Sequence, residues 1–94
     1  MEGHSVISPD VLARYAADAA REVPGVRQVI DTPLQRLGVK VAGDEVELHL
    51  LVERGSIIPE VAAAVQARVT DYLLRMADVR PAAVNVVVDE VARG

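Results

Sequence analysis

Histidine and acidic side chains that alternate along one predicted strand are the residues of this chain best suited to chemistry. His49 lies two residues after Glu47 and four residues before Glu53. Because alternate residues of a strand share one face, these three side chains would lie close enough together to hold a metal ion. One histidine with two carboxylates is a weak ligand set, however, and polar residues alternate with apolar ones along most half-exposed strands. We therefore interpret the three as a solvated polar face and expect no bound metal.

Other catalytic arrangements fail for lack of the residues that they need. The chain has no cysteine, which excludes disulfides, thiolate nucleophiles and cysteine-bound metal centres. No serine lies in a Gly-x-Ser-x-Gly turn, and the glycines are scattered singly, so the sequence contains no phosphate-binding loop. We therefore expect a protein without enzymatic activity, catalytic residues or cofactors.

Composition restricts the fold and the partners. Ninety-four residues predict a single domain, residues 1–94. Hydrophobic residues make up 51% of the chain but include neither Phe nor Trp, so the core must be thin, and self-association would complete its burial.

A net charge of −4 argues against nucleic acid as a partner. No apolar run approaches the roughly 20 residues that span a bilayer, and no signal peptide is recognisable, so we expect a cytoplasmic protein that reaches a membrane only through a partner.

Two amphipathic helices are predicted. The first begins after Ser8, a favourable N-cap, with Pro9 at its first position, and it ends near Glu22 because Pro24 follows. The second begins at Pro59 and ends at residue 77 or 78. Its apolar residues recur at helical spacing and predict a buried stripe. The stripe consists of Val61, Val65, Val69, Leu73 and Met76.

Strands are predicted on either side of the second helix. Residues 39–41 and 45–53 alternate between apolar and polar side chains around a turn at residues 42–44, which predicts an antiparallel hairpin. Residues 84–91 form a last strand with the same alternation. Residues 4–7 form a candidate short strand, residues 26–30 could be a short strand or a packed extended segment, and residues 34–37 could form one helical turn.

These elements predict an α+β fold in the order (β)αββαβ. The simplest assembly is a two-layer sandwich in which both helices cover one face of a three- or four-stranded sheet. A right-handed crossover through the second helix would make the last strand parallel to its neighbour, whereas pairing with the first hairpin strand would be antiparallel. The other face of the sheet is left open.

The open face is the candidate protein interface. Leu51 and Val87 would be apolar side chains within a polar surround, which is the pattern of a modest interface, although single exposed apolar residues are also common on solvated faces. The candidate interface residues are Lys40, Glu47, His49, Leu51, Asn85 and Val87.

Several short segments in one order resemble the alkaline shock protein family, the general stress and envelope stress response proteins of Gram-positive bacteria. The segments are residues 7–12, 22–26, 38–41, 46–52, 58–61, 65–66 and 84–88. Each is a cap, a turn or a strand, and the resemblance lies in their combination over nearly the whole chain. It implies a non-catalytic protein of cell-envelope homeostasis that associates with itself and with protein partners, one of which could be a membrane anchor protein. The stretch from Val26 to Gly38 is shorter than in many members.

Two other functions are compatible with the predicted fold. A small sheet with helices on one side is also found in K-homology RNA-binding modules, but residues 55–58, Gly-Ser-Ile-Ile, contain only the first glycine of their Gly-x-x-Gly clamp. A metal-dependent or small-molecule enzyme would have to use His49. The sequence favours the self-associating interaction protein over both.

Overall fold

Two helices and four strands make up the computed structural model, which describes residues 7–30 and 38–93. In chain order they are α1 (Pro9–Arg21), β1 (Val26–Val29), β2 (Val39–Ala42), β3 (Glu45–Val52), α2 (Ile58–Ala77) and β4 (Ala83–Val91). Residues 4–6 of the candidate first strand and the helical turn predicted at residues 34–37 lie outside the described residues. The order therefore includes three strands between the helices, because residues 26–29 form a strand.

Helix α1 begins and packs as its sequence predicts. The Ser8 side chain accepts a hydrogen bond from the backbone N–H of Val11 at 3.3 Å, and Pro9 occupies the first turn. The buried face consists mainly of alanines, which let the helix approach the sheet and α2 closely. Its fully or nearly buried residues are Ala13, Ala16, Ala17, Ala19 and Ala20. Tyr15 meets Tyr72 of α2 edge to face, with ring centroids 6.0 Å apart.

Helix α2 buries a stripe of residues four apart, namely Val61, Val65, Val69 and Leu73. Met76 was predicted to extend this stripe and does not, since 52% of it is exposed. The residues of the stripe are four apart, so the next position in the series is residue 77. Met76 lies about one quarter of a turn or more away from that position around the helix axis. The helix ends where Asp78 adopts a left-handed conformation with φ of 54°.

Strand β3 is the centre of the sheet. Strand β4 runs parallel to it over its whole length, from the pair Glu45–Ala83 to the pair Val52–Val91, as the crossover through α2 predicts. The other edge of β3 is shared by two antiparallel strands: β2 pairs with residues 45–48, and β1 pairs with residues 50–52.

Strands β1 and β2 behave as one strand that is interrupted once. The Ile30 backbone N–H donates to the His49 carbonyl at 2.8 Å, which extends the β1 ladder towards β2. Gly38, immediately before β2, lies directly against the end of β1. A Cβ atom at Gly38 would lie 2.3 Å from the Ile30 carbonyl oxygen, and its φ is +67°. Only glycine fits this junction without displacing β1.

One face of the sheet and both helices form a single core. The inward residues of β3 alternate as predicted and are at most 3% exposed. They are Val46, Leu48, Leu50 and Val52, and they pack in one cluster with the buried stripes of α1 and α2. The α+β sandwich with both helices on one face of the sheet is thus confirmed.

Candidate interaction surface

The outward side chains of β2, β3 and β4 meet in rows across the open face of the sheet. Strand register places Lys40, Glu47 and Asn85 in one row, and His49 and Val87 in the next. Leu51 lies one row further, beside Gln28 of β1. The structure therefore brings the six predicted interface residues to the same face.

Apolar exposure on this face is small and central. Val87 is 37% exposed, and Leu51 is partly buried between its neighbours. Lys40 and Asn85 are exposed, and Glu47 and His49 are half-buried. Within residues 7–30 and 38–93, no helix or strand packs over these side chains, since both helices contribute to the core on the opposite face. The surface is a small apolar centre within polar side chains.

His49 of β3 contacts two carboxylates, that of Glu47 on its own strand and that of Asp89 on β4. Its Nε2 lies 2.8 Å from an oxygen of Glu47, and its Nδ1 lies 2.8 Å from an oxygen of Asp89. An ionised carboxylate only accepts hydrogen bonds, so both ring nitrogens must donate, which requires the protonated imidazolium. The hydrogen bond with Glu47 raises the pKa of His49 most strongly, partial burial opposes this, and Asp89 raises the pKa further. We name these three residues the His49 clamp.

Asp89, which contacts His49, lies at an irregularity in the strand register. Leu50 pairs with Val88, whereas Leu51 pairs with Glu90, so Asp89 is an additional residue at a bulge. A bulge changes the direction of the side chain that it carries. Glu53, the second carboxylate considered for His49 from the sequence, instead lies 3.7 Å from Arg27. The alternation along residues 84–91 predicted that Asp89 faces outward, but no sequence signal marked the bulge.

The His49 clamp is not arranged as a metal site. Glu47 and Asp89 bind opposite sides of the imidazole ring, so their oxygens do not converge with one nitrogen on a common point. In the described part of the chain, no group of three or more His, Cys, Asp and Glu residues could hold a metal ion. The clamp is instead a charge-assisted link between two strands.

Two hollows lie at opposite ends of the open face. The first, of about 110 Å³, lies at the beginning of β3 and is lined by Lys40, Ala42, Glu45, Val46, Glu47 and Asn85. The second, of about 600 Å³, lies at the end of β3 and is lined by Arg27, Gln28, Leu51, Glu90, Val91, Ala92 and Arg93. Four lining residues were not predicted as part of the surface: Arg27, Gln28, Glu90 and Arg93. Arg27 and Gln28 were missed because the pairing of β1 with the end of β3 was not predicted, and Glu90 because the register shift in β4 was not.

The fold and its surface define a small α+β sandwich with one open sheet face. The chain belongs to the alkaline shock protein 23 family, described as having a cell envelope-related function, whose model matches residues 1–93. The family resemblance found in the sequence is therefore confirmed. Among curated proteins, none matches the chain significantly.

Solved structures with the same fold include domains described as MamM CTD. The manganese form of one MamM CTD variant has a TM-score of 0.57 and 22% identity, and the match covers 86% of this chain and 96% of that chain. The zinc form of another variant has a TM-score of 0.60 and 21% identity, with 90% of this chain and 88% of that chain covered. At this level of identity the likeness establishes a shared fold. No helix among the described residues is long and apolar enough to cross a membrane.

Proposed function

We propose that this protein is a non-catalytic interaction module of the cell envelope that associates with itself through the open face of its sheet. Family membership establishes the cell envelope-related function. The observation that carries the proposal is the difference between the two sheet faces: one is covered by both helices, and the other presents Leu51 and Val87 within a polar rim. Burial of such a centre on association is favourable because it removes apolar surface from water.

The state of His49 supports a binding role over catalysis. A general base needs a free ring nitrogen near its substrate. Both ring nitrogens of His49 are engaged by carboxylates at 2.8 Å, and the raised pKa favours the protonated ring, which cannot accept a proton. A role in holding β3 and β4 together at the centre of a binding face fits these contacts better.

Protein partners would act on the same face or alongside it. A membrane anchor protein would be one such partner, and binding to it would hold this protein at the envelope. Affinity capture from the native host, with wild type and Leu51→Glu in parallel, identifies partners that need the open face. A partner that is retained by both proteins binds elsewhere.

Light scattering over a wide range of protein concentration tests the self-association. We expect wild type to form oligomers at moderate concentration and Leu51→Glu or Val87→Glu to reduce them, because a buried carboxylate at the contact is costly. Met76→Glu is the matched control: Met76 is 52% exposed on α2, away from the open face, and the substitution adds the same charge. A wild-type protein that stays monomeric at high concentration, or equal effects of the open-face and control variants, contradicts the proposal.

A further inference from the structure

The outer edge of β4 has no strand beside it in the described part of the chain. Strand β4 pairs with β3 alone, whereas β1 and β2 both pair with the other edge of β3. Outside its ladder with β3, no residue from 83 to 91 makes a backbone–backbone hydrogen bond to a described residue. An edge strand of this kind presents a row of backbone N–H and C=O groups to which a further strand can bind.

The first six residues of β4 lack the features that usually prevent such pairing. Natural edge strands are commonly protected by lysine, proline, inward-pointing charges or a bulge. Residues 83–88 contain no charged residue, proline or glycine, and the last three of them are consecutive valines. The register shift of β4 lies beyond them, at Asp89. Residues 83–88 are therefore a regular and uncharged edge.

Helix α2 extends this uncharged side above the strand. Four of its residues recur at helical spacing and share one flank: Ala63, Gln66, Thr70 and Leu74. The Gln66 side chain donates a hydrogen bond to the Val84 carbonyl at 3.0 Å, which places this flank above β4. We name residues 83–88 and these four residues of α2 the β4 side.

The charged residues of α2 lie off this flank. Arg68 contacts a glutamate at the end of α1, so its flank of α2 faces α1. Asp71 and Arg75 form an ion pair with each other at 3.4 Å. Glu60 lines a hollow together with residues 23–25. The β4 side therefore has two layers, a strand edge and a helix flank, and carries no charge in either.

We propose that β4 pairs antiparallel with β4 of a second copy of this chain, about a two-fold axis perpendicular to the sheet near Asn85 and Val86, so that the α2 helices of the two copies pack side by side. Such an axis keeps both helix layers on the same side of the joined sheet. It also gives each copy the same contact and closes the assembly at two copies. This interface goes beyond the association proposed for the open face, because it uses a different side of the molecule.

The size of the β4 side favours a second copy over a single peptide strand. The 9 residues of β4 and the 20 residues of α2 are each about 30 Å long. Two layers, each about 10 Å thick, give a side of roughly 600 Å². This approaches the roughly 800 Å² that each partner contributes to a standard stable interface. A lone peptide strand would cover the β4 edge and leave the α2 flank exposed, whereas a second copy presents both layers at matching heights.

Pairing of this kind also enlarges the open face. The sheet of one copy is three strand positions wide, because β1 and β2 share one edge of β3. Joining two copies through β4 gives one sheet six positions wide, with both helix layers on one side and both open faces on the other. The two open faces then form one continuous surface of twice the width.

A charge placed on the α2 flank tests the interface. Ala63→Arg is compared with the unsubstituted residue in the Leu51→Glu protein, in which the association proposed for the open face is removed. Sedimentation equilibrium from micromolar to millimolar protein measures the dimer. We expect Ala63→Arg to raise the dimer dissociation constant roughly tenfold or more, because the two-fold axis brings two arginines into an uncharged contact.

Ala64→Arg is the matched control. Ala63 and Ala64 are consecutive, exposed alanines of α2, so the two substitutions have the same effect on net charge and helix propensity. Ala64 lines the hollow beside Pro24 and Gly25, off the β4 flank. Ala64→Arg should therefore leave the dissociation constant near that of the Leu51→Glu protein.

Amide hydrogen exchange measured by NMR tests the strand pairing itself. In the dimer, alternate backbone N–H groups of residues 83–88 donate to the other copy, because successive residues of a strand direct them to opposite edges. We expect exchange at these alternate amides to slow as the concentration of the Leu51→Glu protein rises through the dissociation constant. The same amides of the Ala63→Arg variant should exchange at the monomer rate over this range.

The outcomes separate this inference from the proposed function. A wild-type protein that stays monomeric overturns both. If wild type associates but the Leu51→Glu protein is monomeric at millimolar concentration, the open face is the interface and the β4 dimer is wrong. A dimer that resists Ala63→Arg, or that leaves the β4 amides unprotected, also overturns the inference. A monomer whose β4 amides gain protection only when an extended valine-rich peptide is added would assign the edge to a single strand instead of a second copy.

Discussion

Leu50 and Leu51 are the same residue type at consecutive positions of β3, and the structure places them on opposite faces of the sheet. Leu50 is fully buried under the two helices. Leu51 is partly exposed beside the hollow at the end of β3. The other residues of β3 on the covered face are valines and a leucine, whereas those on the open face include Glu47 and His49. The comparison shows that strand register, which assigns each side chain to a face, separates residues that hold the fold together from residues that are available for binding.

The largest effect should come from a direct exchange of these neighbours for alanine. Leu50→Ala removes a fully buried side chain and should lower the free energy of unfolding by about 2 to 5 kcal/mol. Leu51→Ala should change it by less than about 1 kcal/mol, because its site can contact water. Urea denaturation of both variants under conditions where the protein is monomeric measures the difference. Equal losses of stability would mean that Leu51 contributes to folding of the monomer as much as Leu50 does, and that the two faces do not differ as described.

An intermediate loss of stability is expected at the junction of β1 and β2, where the backbone of Gly38 lies directly against that of Ile30. In Gly38→Ala, the new Cβ meets the Ile30 carbonyl oxygen and the residue keeps a positive φ, so we expect a loss of about 2 to 4 kcal/mol. Gly43→Ala is the matched control. Gly43 has a similar φ of +61° in the β2–β3 turn, and nothing lies within 4 Å of its Cβ position. It should lose only about 1 to 2 kcal/mol, from backbone strain.

A denaturation series that includes both glycine variants isolates the contribution of the close approach. The difference between the two losses reports the contact with Ile30, because the backbone strain is common to both. If Gly38→Ala is no more harmful than Gly43→Ala, then β1 and β2 do not meet as tightly as the structure places them.

The smallest effect should come from the His49 clamp on the open face. The folded protein raises the pKa of His49 above its ordinary value of about 6.5, so folding is favoured when the ring is protonated. This stability is fully present below about pH 6.5 and is lost as the pH rises through the raised pKa of the folded state. We expect a contribution of at most about 1 kcal/mol, since the clamp lies at the surface.

His49→Gln should remove this pH dependence, and thermal unfolding measured from pH 5.5 to 9 checks it. The other histidine, His4, is present in both proteins, so the difference between their pH profiles reports His49 alone. A variant whose profile parallels that of wild type would show that the clamp does not form. Wild-type stability that rises between pH 6 and 8 because of His49 would contradict the sign.

Local sequence signals predicted most of the fold. Ser8 and Pro9 marked the beginning of α1, Pro24 its end, and the alternation in residues 45–52 identified both faces of β3. Met76 was assigned wrongly because the helical stripe turns as it advances. Strand β1 remained ambiguous because four residues with only one buried side chain carry little periodic signal.

The candidate surface was predicted less completely because it depends on contacts between distant segments. Alternation alone placed the six interface residues on one face. The pairing of β1 with the end of β3, which brings Arg27 and Gln28 to Leu51, is set by tertiary packing. The same holds for the bulge at Asp89, since a single inserted residue in a parallel pair leaves no pattern in the sequence.

The junction between Ile30 and Gly38 also has a consequence for changes in chain length. Ile30 and Gly38 lie directly against each other in the sheet, although seven residues separate them in the chain. Closing a longer loop between fixed ends costs only about 0.6 kcal/mol for each doubling of its length. Additional residues between Ile30 and Gly38 would therefore add little closure entropy while the pairing of β1 and β2 with β3 is kept. Evolution could lengthen or shorten the chain at the same point for the same reason.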